Sequence, residues 1–193
     1  VAWEIELKLR VASHDDIRQR LRDSGAHFAS KVLEQNDIFD RRDDTLRTSG
    51  VGLRVRSTRD ADNSTRIDES APATLTVKGP REPGVLKSRE EVEFAVPNAE
   101  IAARMLNLLG FVRVLRYEKR RESWRFGGCL VELDEPPHLG RFVEIEGPDE
   151  ATINTVRTEL GLSQAEPVAD SYVRLMMNYC AAHGLNERVV TIA

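Results

Sequence analysis

Long apolar runs are missing from this 193-residue chain: none approaches the roughly 18–20 residues that cross a bilayer, and no basic start with an apolar centre marks its N-terminus as a secretory leader. The expectation is a cytoplasmic protein with no membrane contact. Charge of one sign is missing too. The 28 basic and 32 acidic residues leave a formal net charge of -4, which supplies no global attraction to nucleic acid or anionic lipid. Any electrostatic function must therefore be local. Cysteine is scarce, and Cys129 and Cys180 cannot build a metal finger; both lie in apolar stretches and are expected as free core thiols. Aromatic residues make up 6%, and Trp3, Trp124 and the aromatics near the C-terminus are expected as packing anchors, not base-stacking platforms. No P-loop, HExxH or Cys/His set is present.

What is present is a composition of 40% hydrophobic and 31% charged residues, enough for one sizeable core and read as one domain over 1–193. Period-two alternation predicts strands over 3–11, 51–57, 73–78, 88–96, 112–125, 129–134 and 141–146, with a weaker candidate at 32–40. Gly127-Gly128 predicts a hairpin, and "DEPPHLG" a wider turn, so the final four strands are expected as antiparallel neighbours. The polar stretch from Ser57 to Ala73 reads as a mobile loop able to act as a lid.

Helices are fewer, with readable start and stop signals. Ser13, Asn98 and Pro148-Asp149 each precede an amphipathic run that ends in glycine, at Gly25, Gly110 and Gly161. A last helix is expected over about 170–183, with an apolar stripe of Tyr172, Leu175, Met176 and Tyr179, followed by a tail, 184–193. The pairs Glu4-x-Glu6, Glu91-x-Glu93 and Glu144-x-Glu146 each close a strand that leads into one of the glycine-ended helices. The first two units align best. They predict either an internal two-fold built from duplicated halves or a common design reused by chance.

On the polar parity of these strands stand Glu4, Glu6, Lys8 and Arg10; Arg54 and Arg56; Lys78; Arg89, Glu91 and Glu93; Lys119 and Arg121; Glu132 and Asp134; Glu144 and Glu146. The other parity is apolar and can bury against helices. Two arrangements fit: an open sheet showing its charged face to water, or a sheet closed on itself with the charges inside. In the closed case unpaired buried charge needs a partner. Arg and Lys would hold phosphate oxygens, while clustered carboxylates need an intervening hard cation, Mg²⁺ or Mn²⁺. His14 and His138, at a helix start and in a turn, are expected to be solvated.

The Glu4-x-Glu6-x-Lys8 run resembles the signature of the CYTH superfamily, the triphosphate tunnel metalloenzymes, which include class IV adenylyl cyclases and thiamine triphosphatases. The ordered remainder strengthens the likeness: "LRVR", "TLTVKGP", "SREEVEF", "YEKRR" and "VELDEPPHLGRFVEIEG", with "EQNDIFD" near Asp37 and "DSYVRLM" near Tyr172 also familial, across roughly 2–180. The resemblance implies an α+β fold, a closed eight-stranded antiparallel β-barrel with helices packed outside. It also implies a bound triphosphate and Mg²⁺ or Mn²⁺. Carried over by position, Glu4, Glu6 and Glu146 would be metal ligands, with Asp134, Glu144 and Glu132 holding a second metal or orienting the attacking group. Lys8, Arg54, Arg56, Lys78, Lys119, Arg121 and Arg89 would clamp phosphates, Lys8 beside the reacting centre, and Glu91 and Glu93 would support them. Asp37 and Tyr172 are read as scaffold hydrogen-bonders. The implied activity is hydrolysis of an inorganic or organic triphosphate, with cyclisation of ATP to cyclic AMP and pyrophosphate as the alternative and a non-catalytic sensor as a third reading. The resemblance also admits a homodimer.

Overall fold

The computed structural model describes residues 2–61, 68–82 and 86–192, with only the backbone for residues 2, 3 and 87. Its elements run β1 (Ala2–Val11), α1 (Asp15–Asp23), β2 (His27–Asp40), α2 (Thr45–Thr48), β3 (Gly52–Asp60), β4 (Ala73–Lys78) and β5 (Lys87–Val96) in the first part of the chain. They continue with α3 (Ala99–Leu108), β6 (Val112–Phe126), β7 (Cys129–Glu135), β8 (Arg141–Glu146), α4 (Glu150–Glu159), α5 (Tyr172–Ala182) and β9 (Val189–Val190). The sheet order is β2-β3-β4-β5-β1-β8-β7-β6, and β2 also pairs with β6, so β1–β8 close into an antiparallel barrel. Of the two arrangements open to the sequence, the closed one is observed.

Local chemistry sets the helix ends. The side chains of Asn98, Asp149 and Ser171 accept from the backbone N–H groups of Ile101, Thr152 and Arg174, capping α3, α4 and α5. At the β6–β7 hairpin Gly127 and Gly128 have φ of +57° and +79°, the pair of positive values a tight two-residue turn demands and glycine adopts freely. Outward side chains build two cores. Leu7, Leu9, Val131, Val143 and Ile145 pack under α1 and α4, and Leu53, Val55 and Ala73 pack under α3.

α5 departs from this scheme. Tyr172, Met176 and Cys180 pack on Ile38, Leu115, Tyr117 and Phe142. Strand register puts those four side chains on the same parity as Arg54, Lys119 and Lys8, the inner one. The last helix therefore closes one end of the barrel, where α1, α3 and α4 wrap its outside.

Several expectations need correction. β1 lies between β5 and β8, so only β6, β7 and β8 of the final four strands are mutual neighbours. The weak candidate at 32–40 is the inner part of a 14-residue strand that pairs along both edges. Its alternation is hidden because both faces of "LEQND" are polar. The tail is pinned: Val189 and Val190 pair with β6, and the Ile192 N–H donates to Glu118 at 2.7 Å. His14 is buried, its Nε2–H donating to the Phe142 carbonyl at 2.9 Å, and burial pushes its pKa down. His138 is exposed as expected. Both cysteines are free and buried. Trp124 is a core anchor, while the Trp3 side chain and residues 62–67 of the expected lid lie outside the described residues.

Exchanging β1–β4 for β5–β8 leaves every barrel pairing unchanged, which supports the duplicated-halves reading. Under that exchange β8 corresponds to β4, so the third Glu-x-Glu strand is not a third copy of the unit.

Candidate active site

The barrel encloses a cavity of about 1340 Å³. Alternation puts every second residue of each strand on its wall, and every site residue expected from the sequence lines it except Asp134. Arg10, on the same parity, does not line it either: it lies exposed over the Phe142 ring and donates to the Leu139 carbonyl at 2.7 Å.

Two clusters organise the wall. The first centres on Arg121, which reaches Asp134 (2.7 and 2.6 Å), Glu144 (2.6 Å) and Glu132 (2.5 Å). Lys119 joins it through Asp134 at 3.0 Å and Glu34 at 3.3 Å, and Lys8 through Glu144 at 3.2 Å. Burial opposes the charge on both cations, but Asp134, Glu132 and Glu34 hold Arg121 firmly charged, and Asp134 and Glu34 do the same for Lys119. Asp134 is fully buried behind these cations, so its placement makes it their anchor. Glu34, not singled out from the sequence, completes the group. Burial raises its pKa, yet Arg56, Lys119, Arg121 and Arg54 together hold it well below the usual carboxylate range. Glu132 goes the other way: burial, with Asp134 and Glu144 nearby, pushes it up to about 7.

The second cluster joins β1, β4, β5 and β8. Lys78 contacts Glu4 at 2.6 Å and Glu91 at 3.0 Å, and Arg89 donates to Glu4 at 3.1 Å. Burial raises Glu4, but Lys78 and Arg89 bring it below its ordinary value. Glu146 is raised by burial and by the charges of Glu4, Glu91 and Glu6. Like charges thus crowd one stretch of wall.

Two buried donors in and behind the wall lack a hydrogen-bond partner. Asn36 is fully buried, accepts from Arg56 at 3.2 Å and leaves its own Nδ2 without a partner; the Arg54 Nε is likewise unpaired. Burial and the neighbouring Arg56 push Arg54 down, as expected of two guanidinium groups sharing too little negative charge. Native proteins rarely leave buried donors unpaired, so these N–H groups are ready for an anionic ligand.

For a divalent cation the donor set fits. The carboxylates are hard oxygen ligands, and Glu4, Glu91 and Glu6 are close enough to Glu146 to raise its pKa. Among the described residues no three of them converge on one point. Mg²⁺ ordinarily takes one or two carboxylates and completes its shell with water and phosphate, so a preformed cage is not required.

Sequence reasoning missed Glu34 and Asn36 because β2 shows no apolar alternation. It placed Tyr172 in the scaffold, whereas the Tyr172 hydroxyl donates to Asp134 at 2.9 Å inside the site. Asp37 is a scaffold residue as expected, held by Arg116 through two 2.6 Å hydrogen bonds on the outer face.

Three comparisons with known proteins agree with this geometry. The chain is 29% identical over 184 residues to "Adenylate cyclase CyaB" of Aeromonas hydrophila, covering 88% of this chain and 86% of that one. It superposes on a Pyrococcus horikoshii protein with a TM-score of 0.73 at 25% identity, covering 91% and 99% of the two chains. It also superposes on a Hippeastrum protein described as "Putative adenylyl cyclase HpAC1 from Hippeastrum reveals a dominant triphophatase activity", with a TM-score of 0.69, 20% identity and coverage of 91% and 96%. The family model described as the CYTH domain matches residues 2–172, all eight barrel strands up to the first residue of α5, and the chain belongs to the CYTH family.

Proposed function

We propose that this protein is a divalent-metal-dependent triphosphatase that binds an inorganic or organic triphosphate inside the barrel. The observation that carries the reading is the polar wall itself: Arg54, Arg56, Lys119, Arg121, Lys8, Lys78 and Arg89 face one cavity, with a buried donor on Arg54 left unpaired. A triphosphate would bring oxygens to this set of cations. The carboxylates argue for chemistry beyond anion storage, since a plain anion binder gains nothing from Glu4, Glu6, Glu132, Glu144 and Glu146 on the same wall.

Glu4, Glu6 and Glu146 would hold Mg²⁺ or Mn²⁺, with Glu144 within reach of a second ion. The bound ion would neutralise phosphate charge and polarise the reacting phosphorus. The residues of this chain do the rest. Arg121 and Lys119, anchored by Asp134, fix the phosphate chain, and Lys8 faces the same oxygens from β1. Glu132, with a pKa pushed up to about 7, is placed to take a proton from the attacking water near neutrality. No covalent protein intermediate is needed, because positioning and charge neutralisation dominate phosphoryl transfer.

The second reading is cyclisation of ATP, with the ribose oxygen as attacking group. It is favoured by Ile38, Val114, Val173 and Met177, apolar side chains on the lining of the same cavity that a triphosphate alone does not engage. The name of the Aeromonas relative points the same way. Incubation with Mg²⁺ or Mn²⁺ and inorganic triphosphate, thiamine triphosphate or ATP separates the readings. Orthophosphate release supports the triphosphatase, cyclic AMP with pyrophosphate supports the cyclase, and no turnover of any substrate overturns both.

Among the described residues no helix is long and apolar enough to cross a membrane, and the free cysteines suit a reducing cytoplasm. A homodimer is supported by exposed apolar side chains on one side of the molecule: Val92 and Phe94 on β5, and Ile101, Met105 and Leu108 on α3.

A further inference from the structure

The phosphate-clamping lysines have an unusual neighbour. Tyr172, the first residue of α5, is buried. Its ring centroid lies 3.6 Å from the Lys8 Nζ and 4.7 Å from the Lys119 Nζ. The hydroxyl donates to Asp134, the carboxylate that also receives Arg121 and Lys119. The ring is itself held edge-on by Phe142, 5.4 Å between centroids, and Met176 and Cys180 fix α5 one and two turns further on.

We infer that Tyr172 is the positioning residue of the phosphate clamp, its one ring holding the Lys8 and Lys119 ammonium groups in place for the substrate. The inference rests on the proposed binding of triphosphate in this cavity. Both ammonium groups are almost completely buried and carry like charge, so each needs negative potential from several directions. Glu144 and the Asp170 carbonyl serve Lys8; Glu34 and Asp134 serve Lys119. A further carboxylate in place of the ring would neutralise the lysines and compete with phosphate for them. An aromatic face attracts a cation without a formal charge and without taking up a directed N–H bond. Because one ring contacts both lysines, it also sets the distance between them, and a triphosphate needs that distance fixed.

The hydroxyl and the ring have separable jobs. Asp134 already accepts from Arg121 and Lys119, so losing the hydroxyl removes one donor of several. Losing the ring removes the shared contact of both lysines.

Calorimetric titration of inorganic tripolyphosphate into metal-free protein, combined with steady-state kinetics, tests this with Tyr172→Phe, Tyr172→Leu and Met176→Ala. Tyr172→Phe is expected to bind within about threefold of wild type. Tyr172→Leu should bind about tenfold or more weakly and show a raised KM with a smaller change in kcat, the loss falling on cation–π attraction. Met176→Ala loosens the same helix without touching either lysine, so it should lower the melting temperature while keeping wild-type affinity. Equal affinity for Tyr172→Leu and wild type overturns the inference while leaving the triphosphate reading intact. Equal weakening in Tyr172→Leu and Met176→Ala also overturns it, assigning Tyr172 to scaffold alone. Absence of tripolyphosphate binding by the wild type overturns the triphosphate reading itself, and the inference with it.

Discussion

The two charged clusters on the barrel wall use the same residue types to opposite ends. Around Arg121 the cation is the hub: Asp134, Glu144 and Glu132 all converge on one guanidinium, with Lys119 and Lys8 tied to the same carboxylates. Around Glu4 the carboxylate is the hub, held by Lys78 and Arg89 while Glu91, Glu6 and Glu146 crowd beside it. A hub that is a buried guanidinium cannot lose its proton and stays in place. A hub that is a carboxylate can exchange its ammonium partner for a metal ion once phosphate draws that ammonium away. Under the proposed function, the comparison teaches how a wall carrying both signs would bind an anion and a cation together.

The largest effect should come from breaking the cationic hub. Arg121→Gln leaves Asp134, Glu132 and Glu144 without their common partner in a buried site, which is expected to cost about 3–5 kcal/mol by urea denaturation and to abolish turnover. Arg121→Lys should recover part of the stability but little of the rate, because an ammonium cannot bridge three carboxylates with the guanidinium's geometry. Next is the acidic hub. Glu4→Gln or Glu6→Gln should lower kcat by roughly 10²–10³ while the melting temperature stays within a few degrees of wild type. Tripolyphosphate affinity without metal should be unchanged or tighter in Glu4→Gln, since Lys78 and Arg89 are released.

A smaller and more diagnostic effect is the dependence on pH. With Glu132 at about 7, kcat/KM should rise with pH through neutrality, and Glu132→Gln should remove that limb together with most of the rate. The stability contributions of two neighbours of Arg121 have opposite signs. Glu132 is raised above its ordinary 4.5, so its contribution is fully present below about pH 4.5 and is lost as pH rises through about 7. Glu34 is lowered, so its contribution is present above about pH 4.5 and is lost as pH falls towards its depressed folded-state value. Urea midpoints of Glu132→Gln and Glu34→Gln across pH 4–8 should diverge from wild type in those opposite directions. The smallest effect belongs to the outside of the barrel. Arg18 bridges Glu122 and Asp15 on α1, and Arg18→Gln should cost no more than about 1 kcal/mol and leave turnover unchanged.

Much of this wall was legible in the sequence, for a definite reason. Where one face of a strand is apolar, as in "EIELKLR" or "VELDE", alternation reveals which charges share the other face, while the inward direction of that face came only from the family resemblance. β2 failed that test because Gln35 and Asp37 on its outer face are polar too, so Glu34 and Asn36 could not be told apart from surface residues. Depth was also invisible. Glu132 and Asp134 are two residues apart on one face, yet one lines the cavity and the other is sealed behind Arg121. Tyr172 and His14 were misplaced because their partners, Asp134 and the Phe142 carbonyl, are distant in sequence and meet them only when the barrel closes and α5 covers its end.

The partner exchange between the two clusters can be observed directly by titrating Mn²⁺ into the protein with and without inorganic tripolyphosphate, reading free Mn²⁺ by electron paramagnetic resonance. The account predicts weak Mn²⁺ binding to the empty barrel, at least about tenfold tighter binding when tripolyphosphate is present, and loss of that enhancement in Glu4→Gln. Mn²⁺ affinity that is the same with and without tripolyphosphate, or unaffected by Glu4→Gln, would contradict it.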